Sequence, residues 1–422
     1  MCSTGLCLVF FIAQAVFLMN YSEQQTTVVM ENGAISEKET NVDEVMTQFI
    51  MKFYTKRFVE GQNLVVAPLL IFRVFMSMYG EMDASAKFDL HSLVGIPQEA
   101  SAEKMSEFEA FANKYALPVG VQRNLVETRL YYDKSIGKIR SSLEAKSLKP
   151  FPTNFADKQT FCNEVNTWIR NTPINGTDDL VHDYYLNNET AAFVAGALSI
   201  DWNMQLKTSS DVKAFEGENV KFLEGSISTR YAKLDNLKVE VVEMVTDNLS
   251  GVKLWLIMPD EASSIKKFND QLSIASIRQI EKGLTALQKE DVALTVPMVT
   301  IEYNSQEDAY VTEVFEVFSS LFSKPAVKPW FRVSVKDDLY AVKNFLMKCI
   351  LRFVGSDAPA DSKGQSTEKA VSFNRPFVMM ILSKESNVPI LLANYFSPKD
   401  KLRALEAKER HLRMKAKEHL DL

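Results

Sequence analysis

Apolar residues recur at helical spacing just after residue 41, as Val45, Met46, Phe49, Ile50, Phe53, Tyr54 and Phe58. That period predicts an amphipathic helix, and Asn41 can cap it with Glu44 three residues on. Asn63-Leu64-Val65-Val66-Ala67-Pro68 reads as a short strand ended by its proline. Residues 69–82 follow as a helix apolar enough to be buried nearly all round. Helical stretches continue at 84–93 and 102–115, and 126–132 alternates as a strand. A helix covers 161–170. The nearly continuous small-apolar run 190–202 suits a strand covered on both faces. Residues 220–259 are β-rich, with strands at 238–244 and 252–259; a helical stretch at 263–287 leads to a strand at 292–303 and a helix at 309–322. Two more apolar strands, 348–354 and 373–382, close the pattern. Helices come first and strands later, with mixed connections, so the fold class is α+β.

Between the last two strands lies Gly355-Ser356-Asp357-Ala358-Pro359-Ala360-Asp361-Ser362-Lys363-Gly364-Gln365-Ser366-Thr367-Glu368-Lys369-Ala370, small and polar with no apolar period. A connection of that kind cannot be buried, because its backbone amides would have no partners. Loops this long inside a compact domain are usually functional or disordered. It is the candidate working part of the chain.

Composition sets the remaining bounds. The 422 residues are 46% hydrophobic and 24% charged, enough for a sizeable core, and 41–398 shows no linker and no repeat, so one large domain is expected. Net charge is −6; the tail 399–422 holds eight basic and five acidic residues (+3), which leaves −9 for the rest. An acidic body without a basic stripe argues against nucleic acid. Residues 5–19 are apolar apart from Gln14, about 15 residues against the roughly 20 of a membrane span. With Ala13-Gln14-Ala15 as a cleavage site, 1–19 reads as a signal peptide and 20–40 as a mobile arm; a signal anchor is the alternative. Secretion fits the glycan acceptor sequons at Asn175, Asn188 and Asn248. Beyond the signal only Cys162 and Cys349 remain, which is no disulfide framework, so both are expected to pack as small hydrophobes. His91 and His182 have no partner at metal spacing, and no phosphate loop, Gly-x-Ser-x-Gly elbow or His-Glu-x-x-His is present. An enzyme, a cofactor and a metal site are not expected. The tail reads as a charged helix with Glu406–Arg410 and Glu409–Arg413 pairs, either solvated or docking a partner.

The end of the chain resembles the closing signature of the serpins: Phe373-Asn374-Arg375-Pro376-Phe377, then Pro389-Ile390-Leu391-Leu392-Ala393-Asn394-Tyr395-Phe396-Ser397-Pro398. Asn394 stands where a glycine is usual, and asparagine tolerates positive φ next best. The strand and helix from Asn63, the stretch Val165-Asn166-Thr167-Trp168-Ile169, Trp202 and 254–259 are similar to family elements in the same order, over about 41–398. The resemblance implies a serpin fold, eight or nine helices around three β-sheets with an exposed reactive-centre loop. It also implies a monomer whose partner is an extracellular serine protease. In inhibitory members that protease cuts the loop, which then inserts as a new strand into the central sheet.

This loop departs from the family pattern. By position the family's hinge acid falls on Gly355 and its hinge glycine on Asp357, and the run of small residues becomes Ala358-Pro359-Ala360-Asp361-Ser362-Lys363. Pro359 has no amide for a ladder. Counted from the front the scissile residue falls near Val371, and from the back near Gln365. Lys363 or Lys369 would suit a trypsin-like protease. Where the family keeps a polar cluster that controls sheet opening, this chain carries Ala67, Leu70, Ala197 and Met347. Two roles follow: a secreted serine protease inhibitor with inefficient loop insertion, or a non-inhibitory binding, carrier or signalling protein. The degree of divergence suits an insect secreted member, such as a seminal-fluid serpin.

Overall fold

The structure is a computed structural model that describes residues 40–114, 124–137, 148–174, 179–183, 186, 190, 192–245, 249, 251–260, 263–304, 330–332, 339–356 and 369–398. The expected signal peptide, arm, C-terminal tail and the helix at 309–322 lie outside these residues. One compact unit begins at Asn41.

Helix α1 (Val42–Arg57) starts at Asn41, whose side chain accepts from the Glu44 amide at 3.3 Å. The Glu44 carboxylate does not reach back to close a capping box; it pairs with Arg278 Nη2 at 2.6 Å. Strand β1 (Leu64–Val66) ends where Pro68 opens α2 (Pro68–Met78), since proline fits the first helical turn, where no amide partner is needed. After α3 (Ala84–Val94) and α4 (Ala102–Lys114) come β2 (Leu125–Asp133), β3 (Lys149–Thr153), α5 (Lys158–Arg170) and β4 (Ala192–Asn203). Strands β5 (Lys207–Phe215), β6 (Glu218–Leu234), β7 (Val239–Met244) and β8 (Val252–Pro259) follow. The stretch 263–287 splits into α6 (Ile265–Asp270) and α7 (Ile274–Thr285), each with its own serine cap, Ser264 and Ser273. The stretch 292–303 also splits, into β9 (Glu290–Pro297) and β10 (Thr300–Asn304), which belong to different sheets. Strands β11 (Trp330–Arg332), β12 (Leu339–Val354), β13 (Lys369–Ser372), β14 (Phe377–Ser383) and β15 (Pro389–Tyr395) complete the described elements. The expected strand 373–382 begins only at Phe377, as β14; residues 373–376 connect β13 to β14, with Pro376 unable to donate to a ladder.

The main sheet has the order β10-β12-β4-β2-β3, with β11 also on β12. The second runs β1-β15-β14-β8-β7-β6-β9-β13, with β5 on β6. Long β6 serves two neighbourhoods: Phe222 to Thr229 pair with β9, and Arg230 to Leu234 pair with β7. Two of the three expected sheets therefore share a strand. Alternate residues of β4 divide between two cores. Val194, Leu198, Ile200 and Trp202 join the large core with α1, α2 and the second sheet, while Phe193, Ala195 and Ala197 join a smaller core beneath α5. That division is why the sequence of β4 is apolar at nearly every position. Among the described residues β3 is one edge of the main sheet, and there Pro150 and Pro152 share one phase of the pleat. Both nitrogens face away from β2, so that side offers no amides to another strand.

Asn394 does not take a positive φ; it is an ordinary β15 residue opposite Leu64 and Val378. Its side chain explains its presence. Fully buried, it accepts from the Tyr54 hydroxyl at 3.2 Å and donates to the Gln62 carbonyl at 2.6 Å, tying α1 and the turn before β1 to the second sheet. Burial raises the Tyr54 phenol above its ordinary pKa, and the hydrogen bond from Asn269 opposes that rise. Replacing Asn394 by the glycine usual in the family would strip both partners at once. Asn394→Gly is expected to lower unfolding stability by about 1–3 kcal/mol, because a buried side-chain link is lost while the Tyr54 hydroxyl keeps Asn269 as a partner. An unchanged denaturant midpoint would show the network to be dispensable.

Candidate functional site

The candidate site is the connection between β12 and β13 together with the sheet that launches it. Of its predicted residues, Gly355 and Lys369 are described; Asp357, Ala358, Pro359, Ala360, Lys363 and Gln365 lie outside the described residues, as do the sequons at Asn175, Asn188 and Asn248.

The front stem is pinned to the start of β5. Met204 N–H donates to the Val354 carbonyl at 3.0 Å, and Ser356 N–H donates to the Leu206 carbonyl at 2.7 Å. Gly355 lies between these bonds. A Cβ there would stand 2.9 Å from Thr208 Oγ1, 3.1 Å from Leu223 Cδ2 and 3.2 Å from the Leu206 carbonyl oxygen. Glycine at the position of the family's hinge acid therefore has a steric cause in this chain.

The rear stem is equally anchored. Lys369 begins β13, which pairs in parallel with β9 in the register Lys369↔Val292. Its ammonium lies 3.7 Å from the centroid of the Tyr231 ring, a cation–π contact. Burial, then the neighbouring Glu240 carboxylate, raises the pKa of the Tyr231 phenol. Phe373 is fully buried against Phe377, with ring centroids 5.2 Å apart, and Arg375 Nε donates to the Pro259 carbonyl at 3.0 Å.

Between the stems, the main sheet is closed. β12 and β4 pair directly and in parallel from Val342↔Ala192 to Val354↔Asn203. On the inner face Met347 lies beside Gly196, whose added Cβ would meet Met347 Cγ at 3.5 Å. Ala67, Leu70 and Met347 share the large core, as expected for an apolar replacement of a polar cluster. Ala197 does not belong with them: alternation turns it to the α5 side, and Gly196 is the inner-face residue.

The outer face carries charge. Lys348 is fully buried and pairs with Glu302 on β10 at 2.7 Å. Arg352 Nε donates to Asp201 Oδ1 at 2.6 Å; its Nη2 donates to Ser199 Oγ at 3.0 Å and to the Pro173 carbonyl at 3.1 Å. Above this face, α5 is held by the Arg129 guanidinium, which lies 4.2 Å from the Trp168 ring and 4.5 Å from Phe151. Asn166 Oδ1 accepts from Leu180 N–H and Val181 N–H at 2.8 and 2.9 Å, and its Nδ2 donates to the Val181 carbonyl at 2.8 Å. Reasoning from sequence missed Arg352, Asp201 and Ser199. The available signal was two opposite charges inside runs otherwise apolar enough to be buried on both faces.

The remaining candidates have structural settings. His91 Nδ1–H donates to the Pro97 carbonyl and Nε2 accepts from the Tyr79 hydroxyl, both at 2.9 Å. Cys162 and Cys349 are free and buried on opposite sides of the main sheet, and burial pushes the Cys162 thiol up to about 11. Among the described residues no three His, Cys, Asp or Glu side chains gather to hold a metal, and no helix is long and apolar enough to cross a membrane.

A large mixed sheet crossed by one helix, with a long connection from its central strand to the edge of a second sheet, defines the serpin architecture. The family model described as Serpin (serine protease inhibitor) matches residues 44–398, and the chain belongs to that family. Solved structures agree in fold. SRPN18 from Anopheles gambiae superposes with a TM-score of 0.69 at 15% identity, covering 85% of this chain and 99% of that one. Serpin-12 of Manduca sexta gives 0.62 at 17%, covering 84% and 98%. Uncleaved ovalbumin gives 0.65 at 14%, covering 85% and 99%. No curated protein matches the chain in sequence.

The stem geometry yields a direct test. Gly355→Ala forces Thr208 and the Leu206 carbonyl to give way, and overpacking of that kind costs about 1–3 kcal/mol. A lower melting midpoint is the expected result; an unchanged midpoint would show that the stem shifts freely.

Proposed function

We propose that this serpin is a secreted protein that offers residues 357–368 to an extracellular serine protease and is cut by it with little trapping. The observation that carries the reading is the direct β4–β12 pairing, in continuous register from Asn344 to Val354, combined with a front stem held to Leu206. An inhibitory cycle requires those strands to part and the stem to turn into the gap. Pro359, Asp361 and Lys363 make the segment a poor occupant of that gap as well, because a central strand needs its amides and favours β-forming side chains.

Lys363 is the better bait of the two lysines. A protease binds its substrate as a free extended segment, whereas Lys369 is already paired with β9 and set over Tyr231. Secretion is supported by the apolar stretch 5–19 and by the sequons, with glycans proposed at Asn175, Asn188 and Asn248.

Incubation with a panel of trypsin-like proteases is expected to yield a clean cut after Lys363 and no SDS-resistant complex. Lys363→Ala should remove the cut. A covalent complex that survives SDS would overturn the reading in favour of efficient inhibition.

A further inference from the structure

Strand β5 lies open along almost its whole length. From Lys207 to Ala214 no residue is buried, and Val212, at 55%, is the most exposed large hydrophobic among the described residues. Only Phe215 enters the core. β6 pairs with one edge of β5, and among the described residues no strand lies on the other. Even the β6 edge is incomplete. Register runs Lys207↔Glu224 and Thr208↔Leu223, then resumes at Val212↔Lys221, so Ser209, Ser210 and Asp211 bulge opposite the single residue Phe222. Their bonds are local: Asp211 N–H donates to Ser209 Oγ at 3.3 Å, and Ser210 Oγ donates to Asp211 Oδ1 at 3.4 Å. Lys213 is held along the strand by an ion pair with Glu224 on β6.

An open strand edge is a template for another strand, and proteins commonly spoil it with a bulge or a lysine. β5 carries both, yet their placing is self-complementary. Asp211 and Lys213 flank Val212 at equal distance along the strand. We propose that two copies of this chain pair their β5 edges antiparallel about a two-fold axis through Val212, in place of the monomer that the family resemblance implies. Each Asp211 then stands opposite the partner's Lys213, and the two exposed valines meet at the axis. Opposite charges and apolar side chains directly across from each other are the pairs that favour an antiparallel ladder. The register is specific. Moving the axis one residue sets Asp211 against the partner's Asp211, or Lys213 against the partner's Lys213. The three bulged residues, which lack one-to-one partners on β6, fall opposite residues 213–215 of the other copy. Such a contact uses the same patch on both molecules and closes on itself, so it consumes the edge and ends at two chains.

The test is sedimentation velocity of the full chain over a concentration series into the tens of micromolar. The wild type is expected to pass from monomer to dimer and no further. Asp211→Lys and Lys213→Asp, each alone, set like charges opposite each other twice and are expected to weaken self-association at least about tenfold. Mixed in equal amounts, the two variants restore both opposite-charge pairs, and the mixture is expected to regain the dimer. A wild type that stays monomeric throughout, single variants that associate as the wild type does, or a mixture no better than its components would each overturn the pairing. Should either variant fail to fold, the wild type alone still decides. Hydrogen exchange of the amides from Ser209 to Lys213 is expected to slow as protein concentration rises, with β8 unchanged as the control. Exchange in β5 that is independent of concentration would equally overturn the dimer. No protease enters either measurement, so the outcome is separate from that of the proposed function.

Discussion

β4 and β12 are hydrogen-bonded in parallel along almost their whole length, and that pairing dictates most of what surrounds it. A parallel pair in mid-sheet has to be covered on both sides. α5 covers one, with Phe161, Val165 and Ile169 over Phe193, Ala195 and Ala197; the large core covers the other. The buried charges on these strands are paired, Lys348 with Glu302 and Arg352 with Asp201.

The distribution of polar contacts differs from what the family pattern implies. The inner face at Met347 and Gly196 is apolar and closely fitted, and the adhesive contacts have moved to the outer face and to the neighbourhood of Asn394. An apolar inner face packs well without directional bonds. Directional contacts at Arg352, Asn166 and Arg129 supply geometry there instead.

Much of the architecture could be read from residue order because local and tertiary demands coincide. The run 190–202 showed a doubly covered strand, and Pro68 marked both the end of β1 and the start of α2. Misreadings arose where a chain segment changes company without changing composition. Alternation runs straight through Pro297, Met298 and Val299, yet those residues carry the chain from one sheet to the other. Asn394 looked like a backbone substitution and proved to be a side-chain link to a tyrosine far earlier in the sequence. Arg352 and Asp201 are 151 positions apart, and no periodicity joins them. The same holds for Gly355, whose need for space comes from Thr208 and Leu206. The fold was legible from pattern; the fastening of the loop stems depends on contacts that only folding creates.

The two prolines of β3 have an implication for the molecule in company. Proteins built on large sheets tend to stack flank to flank when crowded, each exposed ladder serving as a template for the next. Along the Pro150–Pro152 flank half of the rungs are missing, so two molecules meeting there find no ladder to continue. Fibre growth through that flank is thereby discouraged by covalent structure alone, independent of charge, salt or temperature.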